Sequence, residues 1–306
     1  MKKPSEIFSI STSFVLLAAL FWGLSGGIGG ILIADGWSAF VVSFYRGAIG
    51  LLFVLVWLML QPGRSGLANY RLWFWSVIAG LGVAGNFCFY FLSIEEGSVA
   101  VAATLMYCAP VFVYLVSFAL KLEKPTVLKL TAITVVMVGI VLLTQIYDVG
   151  AEGITLLGVA AGLLAGMSYA IFIFGFKYAA PHGSPQAILS IAFAVLALIL
   201  IWPASIDGVV EVLSTEDWPL FAALGVLGAG LSFIIYIIGL NWTAPAVASI
   251  MAMVEPVTAS LFGVLILSES LSGSQLLGMG LILITVTALS VTSSSGRTPS
   301  DFIKSS

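Results

Sequence analysis

Charge is what this sequence has least of. Of its 306 residues, 11 are Lys or Arg and 14 are Asp or Glu, so 8% are charged, against about 25% in ordinary soluble domains. A chain this long could bury a large soluble core, but with 60% hydrophobic residues too few charges remain to coat one. The net charge of −3 argues against a nucleic-acid partner. Histidine occurs once, His182, in a Pro-His-Gly loop where it is expected to be solvated. Cysteine occurs twice, Cys88 and Cys108, both within apolar runs where small buried side chains rather than a disulfide are expected. No His, Cys and carboxylate cluster has metal-ligand spacing, and no nucleotide-binding loop is present, so no metal, cofactor or ATP-driven step is expected. Gly26-Gly27-Ile28-Gly29-Gly30 is glycine-rich, but it lies inside an apolar run and is a poor phosphate cradle.

What is present is apolar length. Runs of about 20 apolar residues span a bilayer as helices, because backbone groups in lipid must be satisfied internally. Ten such spans are expected, at about Ser13–Ile33, Trp37–Leu60, Leu72–Ile94, Val99–Leu120, Val127–Ile146, Ile154–Tyr178, Pro185–Trp202, Trp218–Leu240, Pro245–Ser268 and Gly273–Val291. The fold class is therefore an all-α membrane protein whose surroundings are the lipid bilayer. Residues 292–306 read as a disordered tail. Lys2 and Lys3 before an apolar run resemble a signal peptide, but the first span matches the sixth, so it is expected to be retained.

The spans repeat. Shifting the sequence by 146 residues, without a gap, lays Pro110 on Pro256, Glu123 on Glu269, Ala100 on Ala246, Asn86 on Ser232, Tyr90 on Tyr236, Gly82 on Gly228 and Ala19 on Ala165. One offset over separated stretches makes the chain two units, 13–146 and 154–291. Five spans per unit is an odd number, so the second unit enters the membrane from the opposite side, with inversion about Gly150. Inverted repeats of this kind are used by secondary transporters, with substrate near the midplane between the halves. With both termini cytoplasmic, ten of the 11 basic residues fall on the cytoplasmic side and only Arg46 lies within a span. The opposite loops hold acidic residues and no basic one, as expected in a plasma or inner membrane.

Two stretches carry a family resemblance. Each unit opens on an aromatic-small helix such as LLAALFWGLSG and later has an apolar-Pro-apolar helix ending in Glu, CAPVFVYLVSFALKLEKP and VEPVTASLFGVLILSESLS. From about Ser13 to Val291 the chain resembles the EamA family of the drug/metabolite transporter superfamily. The resemblance implies ten spans and transport of a metabolite, usually export, through a cavity lined by the first, third and fourth helices of each unit. Similar members include amino-acid exporters of the YddG type and, further away, nucleotide-sugar and triose-phosphate carriers. The sixth span lacks the tryptophan that Trp22 supplies in the first, so the two ends of the pathway are not chemically equivalent.

Candidate substrate contacts follow from the repeat. Asn86 and Tyr90 are four apart on one helix and share a face, and Ser232 and Tyr236 are their mates. Trp22, Ser25, Thr104, Tyr107, Ser168, Tyr169 and Ser249 could complete a polar-aromatic lining around a small-molecule substrate such as an amino acid. The alternative is that these groups bond neighbouring helices, contacts worth about 0.6 kcal/mol on average. Glu255 is the one acidic residue deep in a span, open either to substrate-amine binding or proton coupling, or to a structural hydrogen bond. Pro110 and Pro256 each remove a backbone donor, so both helices are expected to kink there. Arg46 is read as a packing or helix-end contact. The leading function is a secondary transporter for a small polar metabolite, acting by alternating access. The competing function is a membrane enzyme for a lipid or isoprenoid, which would need two or more ionisable groups at one depth. A passive channel or scaffold would need none.

Overall fold

Helix is the only regular structure among the described residues, 4–62, 65–150 and 155–295 of the computed structural model. The order is α1 (Pro4–Ala34), α2 (Ala39–Leu60), α3 (Tyr70–Glu95), α4 (Val99–Met106), α5 (Ala109–Ala119), α6 (Val127–Thr144) and α7 (Leu156–Ala179). There follow α8 (Pro185–Leu200), α9 (Ile206–Glu211), α10 (Trp218–Gly225), α11 (Ser232–Trp242), α12 (Pro245–Ala252), α13 (Val254–Ile266) and α14 (Gly273–Ser295). Among the described residues nine continuous or near-continuous helices are long and apolar enough to cross a membrane, and α8 is a shorter apolar tenth. At 1.5 Å per residue its 16 residues reach about 24 Å, and a turn at 201–204 extends it. Two boundaries differ from the sequence reading. Helix α1 begins at Pro4, ahead of the expected Ser13, and α14 continues to Ser295, into the stretch expected to be disordered. The remainder of that tail, with Arg297 and Lys304, lies outside the described residues, as do Lys2, Lys3, Arg64 and Glu152.

The offset of 146 reappears in the backbone. Helices α2 and α8 start at 39 and 185, α4 and α12 at 99 and 245, and α6 and α14 at 127 and 273. Starts are set by the same chemistry in both halves. Ser38 and Ser184 accept backbone N–H bonds at the starts of α2 and α8, and Thr126 and Ser272 do so for α6 and α14. Each fourth span is broken just before its proline. Helix α4 ends at Met106 and α5 resumes at Ala109, while α12 ends at Ala252 and α13 resumes at Val254. Near the first break Cys108 Sγ bonds Thr104 O, and after the second Thr258 Oγ1 bonds Val254 O. Side chains thus satisfy carbonyls that lipid could not.

The inversion is visible in how mates pack. Gly47 of α2 faces Leu196 of α8 and Gly50 faces Phe193, so one number rises as the other falls. Gly139 of α6 faces Ile282 of α14, and Gly278 faces Leu142 and Leu143. Both pairs of repeat mates are antiparallel, as a pseudo-two-fold axis in the membrane plane requires. The other long contacts come in mated sets, α3 with α7 and α11 with α1. Outward-facing Leu52, Leu115, Leu130, Leu198 and Ile284 present apolar surface for the bilayer.

The α3–α7 seam is close enough to test. A Cβ at Gly82 would sit 2.6 Å from Phe172 N and 2.9 Å from Ser168 O, both backbone atoms that cannot turn aside. Gly280 of α14 has nothing within 4 Å. Gly82→Val should lower thermal stability in detergent by more than the ~1–3 kcal/mol of ordinary overpacking, with lost yield, while Gly280→Ala stays within ~0.5 kcal/mol of the parent. Equal midpoints for the two variants would contradict the packing described.

Candidate functional site: a cavity open to one face

The loops sort by charge. The connections after α1, α3, α6 and α8 carry Asp35, Glu96, Asp148, Asp207 and Asp217, while those after α5 and α7 carry Lys121, Lys124 and His182, with Arg71 at the start of α3 on the same side. Call these the acidic and the basic face. His182 is half-buried rather than solvated, its Nδ1 3.5 Å from Asn69 Nδ2, because the 66 and 183 turns pack on one another.

A cavity of about 540 Å³ lies between the halves, within the range of small-ligand sites. Its rim holds Ile33, Ala39, Ile94, Glu95 and Val99, all at helix ends on the acidic face. Its floor is aromatic. Trp22 lies against Phe233 and Tyr236 with ring centroids 4.9 and 4.8 Å apart, and against Phe172 at 6.4 Å. Phe176 closes the next layer, 5.8 Å from Phe233.

Of the nine residues selected from sequence, Trp22, Asn86, Tyr90, Tyr107, Tyr169 and Glu255 line this cavity. Asn86 also donates its amide to Ala165 O of α7 at 3.0 Å, so it joins the seam as well as the lining. Ser232, Tyr236 and Ser249 do not line it. Tyr236 and Ser232 are fully buried beneath Trp22 and beside α1, and Ser249 turns its hydroxyl to Ala246 O of its own helix at 2.9 Å. The hydroxyls of Tyr236 and Ser232 are buried without a hydrogen-bond partner among the described residues, while that of Tyr169 faces the Glu255 carboxyl. The symmetry that paired Tyr90 with Tyr236 is broken by conformation: one mate faces an open half and the other a closed half.

The basic face is closed by named bonds. Lys177, in the last turn of α7, donates to Leu240 O at 2.7 Å and to Asn241 O and Thr243 O at 2.9 Å. A lysine on the terminal carbonyls of a neighbouring helix matches their partial negative charge. Glu123, after α5, pairs with Lys129 and accepts from the Ala246 amide at the start of α12 at 3.2 Å, which ties the fourth span of one half to that of the other. Its mate Glu269 makes no such bond with Ala100 among the described residues. It lies instead against Gly263 of its own span.

Arg46 is the residue sequence reading undervalued. It does make the packing contact expected of it, Nε and Nη2 donating to Gly228 O at 3.1 and 2.9 Å, but its side chain also lines the cavity. Gly228 lies in a π-helical turn, 226–231, that widens the third span of the second half where Arg46 and Ser25 approach. A Cβ at Gly228 would sit 3.0 Å from Arg46 Nε, so glycine there admits the guanidinium. The signal was available in the repeat: the mate of Arg46 is Ala192, and the mate of Glu255 is Ala109, both fully buried. Arg46 and Glu255 are thus places where the halves disagree in charge at depth.

A comparison with known families now has a geometry to meet. The profile of the EamA-like transporter family matches residues 9–145 and again 156–291. The chain belongs to the EamA-like transporter family. It is a multi-pass membrane transporter. Similar proteins are named uncharacterized transporters: one from Archaeoglobus fulgidus is 30% identical over 242 residues, covering 79% of this chain and 83% of that one. YwfM of Bacillus subtilis is 25% identical over 288 residues, covering 92% and 94%. A solved crystal structure at 19% identity superposes with a TM-score of 0.73 over 93% of this chain and 97% of that one, which shows that the two share a fold.

Access to the cavity is testable on a background without Cys88 and Cys108. Gly30 lines the cavity with nothing within 4 Å of an added Cβ, whereas Ser232 is fully buried. A cysteine placed at Gly30 should react at least about 10-fold faster with an impermeant thiol reagent in detergent than one at Ser232. Comparable rates would mean that the cavity is not open as described.

Proposed function

We propose that this EamA-like transporter exports a small polar metabolite of the amino-acid type across the plasma membrane by alternating access. The observation that carries the reading is the convergence of Trp22, Asn86, Tyr90, Tyr107, Tyr169 and Glu255 on one cavity that reaches a single face. Aromatic rings with polar tips suit a ligand that has both an apolar body and polar groups. Both termini are assigned to the cytoplasm, on the positive-inside rule, which makes the closed basic face cytoplasmic and the open acidic face external. A relative in Salmonella typhimurium, 27% identical over 291 residues, covering 91% of this chain and 94% of that one, is named an inner membrane transporter, which supports the same location.

Alternating access is supported by the two glutamates. Glu123 bridges to the Ala246 amide on the closed face, and Glu269 and Ala100 hold the matching positions on the open face without the bridge. Exchanging the conformations of the two halves would form the second bridge as the first breaks, opening the basic face to load substrate. Tyr236 and Ser232 would then line the cytoplasmic cavity, and their unpartnered hydroxyls would find use there. The enzyme reading is disfavoured by the family, although the cavity does hold a second ionisable group, Arg46, beside Glu255.

Metabolite profiles of medium from cells with and without overexpressed protein are the first test. A small amino-acid-like compound should accumulate outside with the parent, and Glu255→Gln at equal protein level should reduce its export by about 10-fold or more, the scale of one lost charge-assisted hydrogen bond. No compound enriched by the parent over the empty vector would overturn the exporter reading. Orientation has its own measurement: a cysteine at Ser65 should be inaccessible to an impermeant reagent outside intact cells, and one at Gly208 accessible. The reverse pattern would invert the topology and with it the direction.

Tyr236→Phe separates the two states. Its hydroxyl has no partner with the acidic face open, so removing it should leave thermal stability unchanged or higher while export falls. Unchanged export would remove Tyr236 from the pathway.

A further inference from the structure

We infer that the cavity recognises a zwitterion, an α-amino acid, by holding its carboxylate on the guanidinium of Arg46 and its ammonium on the carboxylate of Glu255. The inference rests on the transporter reading and assigns its ligand chemistry. Both side chains line the same cavity, Arg46 from α2 of the first half and Glu255 from α13 of the second. Their charges act on one another across it. Yet they do not form an ion pair: among the described residues the one side-chain pair within 4.0 Å is Lys129 with Glu123. The two opposite charges are more than 4.0 Å apart in the lining of one cavity.

The geometry of Arg46 leaves a defined face for the carboxylate. A guanidinium offers two bidentate edges, one from Nε with Nη2 and one from Nη1 with Nη2. The first edge is used on Gly228 O, by both of its nitrogens. That contact fixes the plane of the group, and the Phe87 ring, 5.4 Å from its central carbon, lies against it. Nη1 makes no hydrogen bond among the described residues and Nη2 makes one, so Nη1 and the second hydrogen of Nη2 leave an edge with the fork spacing that two carboxylate oxygens accept in parallel. Glu255 sits in the first turn of α13, where the helix dipole favours a carboxylate. Its oxygens can accept from an ammonium.

Net charge decides between ligand classes. Arg46 and Glu255 carry opposite charges at depth, with Glu95 out at the rim, and a zwitterion gives each of the two deep charges a partner. A simple amine or a simple acid would pair one charge and leave the other desolvated at depth, where a lone charge costs at least ~2.5 kcal/mol on the lowest scale. The remaining lining, with Trp22, Phe87, Tyr90 and Tyr107, accommodates the amino-acid side chain. Both charges are absent from the repeat mates, Ala192 and Ala109, so neither is required by the fold that the halves share.

The test uses the full-length protein in detergent, with the twenty protein L-amino acids as probes and the thermal unfolding midpoint as readout. At least one should raise the midpoint. The amine lacking its carboxylate and the acid lacking its amine should raise it at least about 10-fold less effectively, judged by the concentration for half the shift. Arg46→Lys keeps the charge but loses the fork, and Glu255→Gln keeps the shape but loses the charge, so each should lose the response to the amino acid. If either variant fails to fold, the three ligands on the parent protein decide alone. An equal response to the amine or to the acid overturns the inference, and so does a response to none of the twenty. Either result leaves the export measurement standing, so failure here is distinguishable from failure of the transporter reading.

Discussion

Two helix pairs, α2 on α8 and α6 on α14, pack antiparallel against their own repeat mates, and the architecture follows from that arrangement. Without water in the bilayer core there is little hydrophobic drive between helices, so close contact is what holds them. Glycine supplies it at Gly47 and Gly50 in one pair and at Gly139 and Gly278 in the other. Once those contacts are set, every neighbour of one half has a counterpart in the other. The first helix of each half must then lie along the third of its partner, as α7 does on α3 and α1 on α11. The space remaining between the halves is the cavity.

Function enters where the halves stop matching. A protein built strictly on its two-fold axis would have equal ends and no preferred ligand orientation. Here Arg46, Glu255 and Lys177 stand opposite Ala192, Ala109 and Ile31 under the repeat. Two of these charges face the cavity and the third ties the basic face shut through three backbone carbonyls. The π turn at 226–231 belongs to the same set, since its counterpart in α3 is continuous α-helix. The shared features, the capped helix starts and the broken fourth spans, account for shape. The unshared ones account for chemistry.

Much of this could be read before any coordinates. Apolar length and the 146-residue offset define the spans and their inversion, because helix length in lipid and gapless repetition are local properties of the chain. Six of the nine selected side chains reach the cavity for a similar reason: face and depth follow from helical spacing. The misplacement of Ser232, Tyr236 and Ser249 has a different origin. Sequence symmetry assigns mates equal positions, whereas a single conformation opens one half and shuts the other. Arg46 was undervalued because its partner, the Gly228 carbonyl, is 182 residues away and exposed to it only through a π turn that no local pattern announces. The role of Glu123 likewise depends on a backbone amide in the other half.

The glycines of α1 have a further consequence. Gly23, Gly26 and Gly30 line the open side, and their counterparts on α7 are Tyr169, Phe172 and Phe176. Tyr169 and Phe172 already border the present cavity, so an opening toward the basic face by the mirrored motion would newly wet Phe176 where the present opening wets the bare backbone of Gly30, and apolar area exposed to water costs about 25 cal/mol per Å². On that term alone the two end states are unequal in free energy, the acidic-side opening being the lower. A substrate arriving from the basic side must therefore contribute more binding free energy in that state than in this one to hold it there. The same term would favour the acidic-side opening in the empty protein, a preference that resides in the difference between one glycine and one ring.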